Sequence, residues 1–336
     1  MNSKEILKEL ISFNTIEDKE NKKIINYIEQ YLKKIGFITE YKSKCLIMSN
    51  KENCNIGFLG HTDTVSFSND WSLNPFELKE INGRLYGLGT SDMKGSIATI
   101  LSAMPKIDFT NRKTGIKLFF TYDEEIGFSG INELVNKEIV FPKYIIIGEP
   151  TNNEVINASK GLLEFKIVFK GIASHSSKPE EGINAIENCI DFIRSLQNYY
   201  KELKQEKINS LYTTMNIGVI NGGRSINIVP DTCEILIDFR TISKNQNENI
   251  IEKVNKLIKN YNATYEIINN INPFSNTYEK INMSNFITEA SFIENGNKYI
   301  LGVGPINAHK KDEFITIDSL DKLEGQYIEI IKEKCE

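Results

Sequence analysis

Three short apolar runs in this chain each lead directly into a histidine or a carboxylate. The runs occupy residues 56–59, 116–122 and 144–147. The residues at or just beyond their ends include His61, Glu124, Glu125 and Glu149. Each run is short enough to be a buried strand, and helical stretches at 95–104 and 129–135 alternate with the runs. This alternation predicts a layered α/β domain, for which we expect a mixed sheet.

A different pattern begins near residue 162, where Leu163, Phe165, Ile167 and Phe169 alternate with more polar side chains. A period of two is typical of a half-buried strand. The following segments predict helix, strand, strand, helix and strand, at residues 183–203, 213–220, 233–239, 248–261 and 263–268. The order β-α-β-β-α-β is the ferredoxin-like split pattern. We therefore expect residues 162–272 to form a domain inserted into a first domain made of 1–161 and 273–336.

Charge and cysteine content narrow the class of protein. The chain has 40 Lys and Arg against 45 Asp and Glu, a net charge of −5, which argues against a nucleic-acid or anionic-membrane binder. No apolar run approaches the ~20 residues of a membrane span, and the start of the chain lacks a signal-peptide apolar region. The five cysteines are scattered, which disfavours disulfides and a cysteine-rich zinc site and favours a cytoplasmic location.

The first candidate metal ligand is His61, one of only three histidines in the chain. It stands in GHTDTV with Asp63 two residues further on. In a continuing strand both side chains lie on one side, so that Asp63 could orient the ring of His61 while the ring binds a metal. The alternative is a strand-end histidine whose ring is satisfied by a turn.

The second candidate is Asp92, which lies in the glycine-rich segment LYGLGTSDMKG at residues 85–95. The segment is not a phosphate-binding glycine loop, because Asp92 occupies the position of the third glycine. Glycines could instead let the backbone hold the carboxylate at the angle that a metal-bridging aspartate requires. The alternative is a simple turn with an acidic residue at the start of a helix.

Three consecutive acids, Asp123, Glu124 and Glu125, follow the second apolar run. Like charges this close repel one another unless cations neutralise them. One of the two glutamates could bind a metal while the other acts as a general base, and the alternative is a solvated acidic loop. Since strand ends meet at one edge of an open sheet, we expect Glu125 to lie near His61 and Glu149.

The other two histidines lie in loops. His175 stands in a serine-rich turn of the inserted domain, and His309 follows a predicted strand at residues 299–302. Two histidines and three carboxylates can therefore meet in the first domain, and His175 is the one histidine of the second.

Six segments together resemble a known family. They are GHTDTV, YGLGTSDMKG, DEEIGFSG, IIGEPT, ASHSSKPEEGINAI and AHKKDE, in this order. The set is similar to that of the zinc-dependent deacylases and exopeptidases, which include acetylornithine deacetylase, succinyl-diaminopimelate desuccinylase, aminoacylase and glutamate carboxypeptidase. The resemblance covers essentially the whole chain. It implies a metal-dependent hydrolase of linear amides that forms a homodimer, with a catalytic domain and an inserted lid or dimerisation domain.

The resemblance also implies a role for each matching position. The ligands of a two-zinc centre, for which cobalt could substitute, would be His61, Asp92, Glu125, Glu149 and His309. Asp92 would bridge the metals, Glu125 and His309 would complete one site, and His61 and Glu149 the other. Glu124 would be the general base, Asp63 the partner of His61, and His175 an oxyanion donor that reaches across a dimer. The family further implies a cis peptide bond between Asp92 and Met93.

Substrate recognition is implied by shorter matches. TEASFI at residues 288–293 and YGLGT at 86–90 most resemble the acetylornithine deacetylase branch, which implies hydrolysis of N2-acetyl-L-ornithine to ornithine and acetate. Residues 222–240 match a stretch that binds the substrate α-carboxylate, with Asn227 and Arg240 as candidates, Arg224 as a weaker one, and a surface role as the alternative for each. The sequence does not decide which of Glu289, Asp312 and Glu313 contacts the side-chain amine of the substrate. N-succinyl-diaminopimelate, other N-acyl amino acids and dipeptides are alternative substrates, and a non-catalytic binding protein is a distant alternative.

Overall fold

The computed structural model describes residues 1–276 and 280–336 and divides the chain into two compact units. Unit 1 comprises Met1–Asn157 and Thr288–Glu336, and unit 2 comprises Ala158–Ile287. The second unit is thus inserted into the first. Residues 158–161 and the described residues of 273–287 belong to unit 2. A strand at Ala158–Ser159 pairs with strands at Phe274–Ser275 and Met283–Ser284, and the N–H of Gly161 donates to the main-chain oxygen of Thr241 at 2.9 Å.

The elements are numbered in chain order. The α-helices are α1 (Ser3–Ile11), α2 (Asn21–Lys34), α3 (Gly95–Ala103), α4 (Ser129–Asn136), α5 (Ala185–Leu203), α6 (Lys244–Ile258) and α7 (Ile317–Lys334). The strands are β1 (Ile38–Lys42), β2 (Leu46–Ser49), β3 (Cys54–His61), β4 (Lys79–Ile81), β5 (Arg84–Tyr86), β6 (Gly115–Thr121), β7 (Tyr144–Ile147), β8 (Ala158–Ser159), β9 (Leu162–Lys170), β10 (Thr214–Gly222), β11 (Thr232–Arg240), β12 (Ala263–Ile271), β13 (Phe274–Ser275), β14 (Met283–Ser284), β15 (Asn297–Ile300) and β16 (Phe314–Thr316).

The main sheet of unit 1 has the order β1-β2-β6-β3-β7-β15. Strands β6, β3, β7 and β15 run parallel, whereas β2 pairs antiparallel with β6 and β1 antiparallel with β2. The predicted mixed-sheet α/β class is therefore confirmed. Because β3 and β7 are central and parallel, their carboxyl ends open at the same edge of the sheet.

The apolar runs form the central strands because both of their faces are covered. The last six residues of β3 and the last three of β7 are buried. Continuous apolar sequence is expected for parallel strands that are buried on both faces. The consequence for function is that His61, the last residue of β3, ends the strand in the interior of unit 1.

Helix α3 is buried along its whole length, with α1 and α7 packed against it. Its nine residues, GSIATILSA, are small or apolar and carry no charge. A Cβ atom on Gly95, the first residue, would lie 2.2 Å from the carbonyl oxygen of Thr90. This close approach requires glycine and fixes the turn before α3, which carries Asp92.

Unit 2 contains a sheet of order β10-β11-β9-β12 in which neighbouring strands are antiparallel. Helices α5 and α6 pack on the sheet through buried side chains such as Phe169, Phe192 and Val254. With the chain order β9-α5-β10-β11-α6-β12, this is the ferredoxin-like arrangement that the sequence predicts. No helix in the residues described is both long and apolar enough to cross a membrane.

Candidate functional site

The candidate site of unit 1 begins with His61, which is fully buried. Its Nδ1 atom lies 3.1 Å from the main-chain oxygen of Asp63 and 3.4 Å from that residue's Oδ1. Oδ2 of Asp63 accepts a hydrogen bond of 3.2 Å from the main-chain N–H of Glu125. Asp63 thus fixes the ring from the Nδ1 side and leaves Nε2 facing the other acids.

Asp92 lies in the turn Thr90–Lys94 that leads into α3. The peptide bond between Asp92 and Met93 is cis, which confirms the expectation from the resemblance. Gly89 precedes the turn with φ +83, and a Cβ there would lie 2.8 Å from Cγ2 of Thr64, so glycine is required for both conformation and space. The turn directs the Asp92 carboxylate towards His61, whose Nε2 is 3.1 Å from Oδ1.

The second oxygen of Asp92 faces another histidine. Oδ2 lies 3.4 Å from Nε2 of His309, and the same Nε2 lies 3.0 Å from Oε2 of Glu125. Glu125 follows β6, whereas His309 stands in a loop with φ +61. Asp92 is therefore flanked by two histidines, one on each carboxylate oxygen.

Glu149 and Glu124 complete the cluster. Oε1 of Glu149, just beyond β7, lies 3.6 Å from Nε2 of His61 and has no hydrogen-bond partner in the described part of the chain. His61, Glu124 and Glu149 form one group whose ligand atoms lie within 4.8 Å of one another, and His61, Asp92 and Glu125 form a second. The structure thus brings together the five predicted ligands and the predicted general base.

The electrostatics of the cluster are those of crowded carboxylates. Burial, reinforced by neighbouring acids, raises the pKa of Glu124 and of Glu149 well above the usual value. Burial would lower the pKa of His61, but Asp63 and Asp92 outweigh it and raise that pKa well above its usual value. Hydrogen bonds with Asp92 and Glu125 raise the pKa of His309 to about 10. A divalent cation would relieve the repulsion that these shifts reflect.

The spacing of the donor atoms fits a divalent metal. Two ligand atoms on one tetrahedral zinc ion, each about 2.1 Å from it, lie about 3.4 Å apart. The four distances from Nε2 of His61 or His309 to the carboxylates of Asp92, Glu125 and Glu149 lie between 3.0 and 3.6 Å. The buried Oε1 of Glu149, which has no hydrogen-bond partner among the described residues, suits an oxygen that would bind such a cation.

The remaining predicted residues belong to unit 2. His175 is exposed; its main chain pairs with that of Ile228, and the N–H of Ser176 donates to the oxygen of Asn227 at 3.0 Å. The loop segments of His175 and Asn227 are therefore neighbours. Arg240 ends β11, and its guanidinium forms an ion pair with Asp238 at 3.0 Å. Arg224 lines an open cavity of about 610 Å³ and pairs with Asp231 at 3.5 Å.

Two of the three candidates for contact with the substrate amine form hydrogen bonds with other parts of the protein. Asp312 accepts hydrogen bonds from the main-chain N–H and the hydroxyl of Ser72, at 2.8 and 2.6 Å. Glu313 is buried and accepts three main-chain N–H groups of the segment 89–92. This contact was not predicted, because an acid four residues after His309 carries no signal of a bond to a distant loop. Glu289 is fully buried, and burial raises its pKa to about 7.

Similarity to known proteins extends over both units. Residues 157–266 match the family model for the peptidase dimerisation domain. An acetylornithine deacetylase from Buchnera aphidicola subsp. Acyrthosiphon pisum (strain Tuc7) is 33% identical over 352 residues, covering 93% of this chain and 92% of the relative.

Two solved structures have the same fold. An aminopeptidase from Bacillus cereus ATCC 10987 has a TM-score of 0.82 at 20% identity, covering 100% of this chain and 98% of its own. A dinuclear metal-binding peptidase of the M20 family from Bacillus subtilis has a TM-score of 0.76 at 14% identity, covering 99% and 97%. Together with the relative of 33% identity, these findings lead to one conclusion. The chain belongs to the M20 family of metallopeptidases and deacylases, and it is a metal-dependent hydrolase.

Proposed function

We propose that this hydrolase uses two zinc ions to remove the acyl group from a small N-acyl amino acid, with N2-acetyl-L-ornithine as the preferred substrate and L-ornithine and acetate as products. The observation that carries the proposal is the position of Asp92, whose two oxygens face His61 at 3.1 Å and His309 at 3.4 Å. The choice of substrate is supported by the acetylornithine deacetylase that is 33% identical to this chain.

Five residues would hold the metals. One ion would be bound by His61, Glu149 and Asp92, and the other by His309, Glu125 and Asp92. When bound, zinc supplies Lewis acidity, which polarises an amide carbonyl and makes water a nucleophile near neutral pH. The dinuclear peptidase from Bacillus subtilis supports a count of two metal ions per chain. Cobalt is a reasonable substitute for zinc, because the donor atoms are nitrogen and oxygen.

Glu124 would act as the general base. Its carboxylate takes a proton from the attacking water and delivers the proton to the nitrogen of the departing amine. Burial raises the pKa of Glu124, which favours the protonated state that the second step needs. Asp63 would hold the ring of His61 in the tautomer that leaves Nε2 free to bind, since its main-chain oxygen lies 3.1 Å from Nδ1.

Unit 2 would provide the remaining groups. We assign His175 as the donor that stabilises the oxyanion of the tetrahedral intermediate. Asn227, whose main chain is bonded to the His175 loop, would contact the substrate α-carboxylate together with Arg240. The match to a peptidase dimerisation domain supports a homodimer, in which His175 serves the site of the other subunit. The five free cysteines support a cytoplasmic location.

A panel of substrates tests the proposal. Zinc-loaded protein is incubated with N2-acetyl-L-ornithine, N-succinyl-diaminopimelate, other N-acyl amino acids and dipeptides, and amine release is measured with ninhydrin. We expect the highest kcat/KM for acetylornithine. Turnover of another member of the panel without turnover of acetylornithine would contradict the substrate and leave the metal-dependent chemistry intact.

A further inference from the structure

Glu313 lies in the interior of unit 1 and binds the segment that carries Asp92. One carboxylate oxygen, Oε2, accepts the N–H of Gly89 at 3.0 Å. The other, Oε1, accepts the N–H groups of Ser91 at 2.6 Å and of Asp92 at 3.1 Å. With 2% of its surface exposed, Glu313 has little access to solvent. Three main-chain donors of one turn are thus held by a single buried side chain.

The main chain of Glu313 is attached to the same segment. Its carbonyl oxygen accepts the N–H of Gly87 at 3.0 Å. The next residue, Phe314, begins β16 and pairs with Tyr86 of β5. The turn at Asp92 is therefore connected to Glu313 through both a strand ladder and a side chain.

The loop that precedes Glu313 in the chain carries His309. Both His309 and Asp312 have positive φ, +61 and +50, a left-handed conformation that costs free energy in residues other than glycine. Such a backbone persists only where surrounding contacts fix it. The side chain of Asp312 is fixed by a hydrogen bond from Ser72. The side chain of the next residue, Glu313, is fixed by hydrogen bonds from the turn at Asp92.

We propose that Glu313 is a positioning residue, which holds Asp92 and His309 at the separation that the metal between them requires. The inference rests on the proposed two-metal function. A carboxylate suits this position because both of its oxygens only accept hydrogen bonds, and the three N–H groups need acceptors. A glutamine would turn an NH₂ group towards at least one of these donors and leave that N–H unsatisfied in the interior.

The test uses metal-free full-length protein and the variants Glu313→Gln and Glu29→Gln. Glu29 is the matched control, since it too is largely buried and is bonded to Thr39, Lys33 and Lys42, but it lies on α2 outside the metal cluster. Zinc binding is measured by calorimetric titration. Hydrogen exchange of the peptide 87–95 is measured on the same metal-free samples.

We expect Glu313→Gln to weaken one of the two zinc sites by about 10- to 100-fold, the usual effect of losing a group that orients a ligand. Exchange in the peptide 87–95 should accelerate in that variant alone, and kcat at limiting zinc should fall with little change in KM. Saturating zinc should restore part of the lost kcat. The control should match the wild type in zinc affinity and in exchange of this peptide.

The remaining outcomes distinguish failure of the inference about Glu313 from failure of the proposed two-metal function. Wild-type zinc affinity in Glu313→Gln would overturn the inference, whereas a wild-type protein that binds no zinc would contradict the proposed function instead. If Glu313→Gln does not fold, Glu313→Asp retains the charge on a shorter side chain and should show the same selective weakening. Unprotected amides at residues 89–92 in the metal-free wild type would also overturn the inference, without any variant.

Discussion

Asp92 and His309 face each other across a gap of 3.4 Å between Oδ2 and Nε2, although they stand in separate loops of unit 1. Oδ1 of the same aspartate lies 3.1 Å from Nε2 of His61. A carboxylate flanked in this way can be shared by two cations. The chemistry we propose therefore depends on one side chain for both metal positions, and on Glu124 beside them for proton transfer.

Replacement of Glu124 by glutamine should lower kcat by about 10²- to 10⁴-fold, because the amide cannot carry the proton from water to the amine. Zinc content should stay at the wild-type value, since Glu124 is not among the proposed ligands. Asp123→Asn is the control: Asp123 is adjacent, is bonded to Ser129 and has φ +58, a conformation that asparagine tolerates. Equal losses in both variants would refute a specific role for Glu124.

His175→Ala should fold, bind zinc and lose about 10²- to 10³-fold in kcat, the effect of removing one oxyanion donor. If the histidine acts across a homodimer, mixing this variant with Glu124→Gln allows one intact site in each mixed dimer. After random subunit exchange, activity should recover to about a quarter of the wild-type value, as expected for a two-fold dimer.

The same mixing experiment also shows whether His175 acts within its own subunit. If His175 serves its own subunit, mixing restores nothing, because neither kind of site regains both groups. Lys178→Ala, a change in the same loop that removes only an exposed ion pair with Glu181, should keep wild-type activity.

Gly302 should not tolerate a methyl group. A Cβ there would lie 2.2 Å from the main-chain oxygen of Glu149 and 2.5 Å from that of Gly148, and main-chain atoms cannot rotate away. We expect Gly302→Ala to lower the free energy of unfolding by about 1–3 kcal/mol or more. Gly325→Ala, in α7 with nothing within 4 Å, should raise it by about 0.5–1 kcal/mol. Denaturant unfolding distinguishes the two, and equal effects would contradict the packing around Gly302.

Glu29 should contribute to stability only above acidic pH. Hydrogen bonds with Lys42 and Lys33 lower its pKa from 4.5 to about 2 in the folded chain. The folded state therefore binds this proton less readily than the unfolded state, so the stabilisation is complete above about pH 5 and disappears as the pH falls towards 2. Since one pKa unit corresponds to about 1.4 kcal/mol, the difference in unfolding free energy between wild type and Glu29→Gln should be up to about 3 kcal/mol at neutral pH and should shrink over that range. A constant difference would contradict the assignment.

Much of unit 1 was predictable because its central strands are apolar on both faces. Strand β7 coincides with the predicted run at 144–147, and β3 extends the predicted run at 56–59 by two residues at each end. Strand β6 begins and ends one residue before the predicted run at 116–122. The short strands β4 and β5 were not predicted. Residues of β4 are all exposed, and strands of three residues are too short to show a period.

Helix ends and long-range contacts account for most of the remaining differences. Helix α6 begins at Lys244, four residues before the predicted start, because Ser243 and Gln246 form a capping box. Helix α1 was not predicted, although Asn2 and Glu5 form another capping box at its start. The candidate ligands were found because each follows a strand or a glycine-rich turn. The bond from Glu313 to the Asp92 turn depends on tertiary structure and leaves no local pattern.

The most direct test of the account is a zinc titration of fully metal-free protein, in which bound zinc and acetylornithine hydrolysis are followed together. We predict two zinc ions per chain, no hydrolysis without metal, and activity that rises with occupancy until both sites are filled. Asp92→Asn should lose tight binding at both sites and most of the activity. Full activity of the metal-free protein, or a wild-type chain that binds one ion or none at saturation, would contradict the two-metal site built around Asp92.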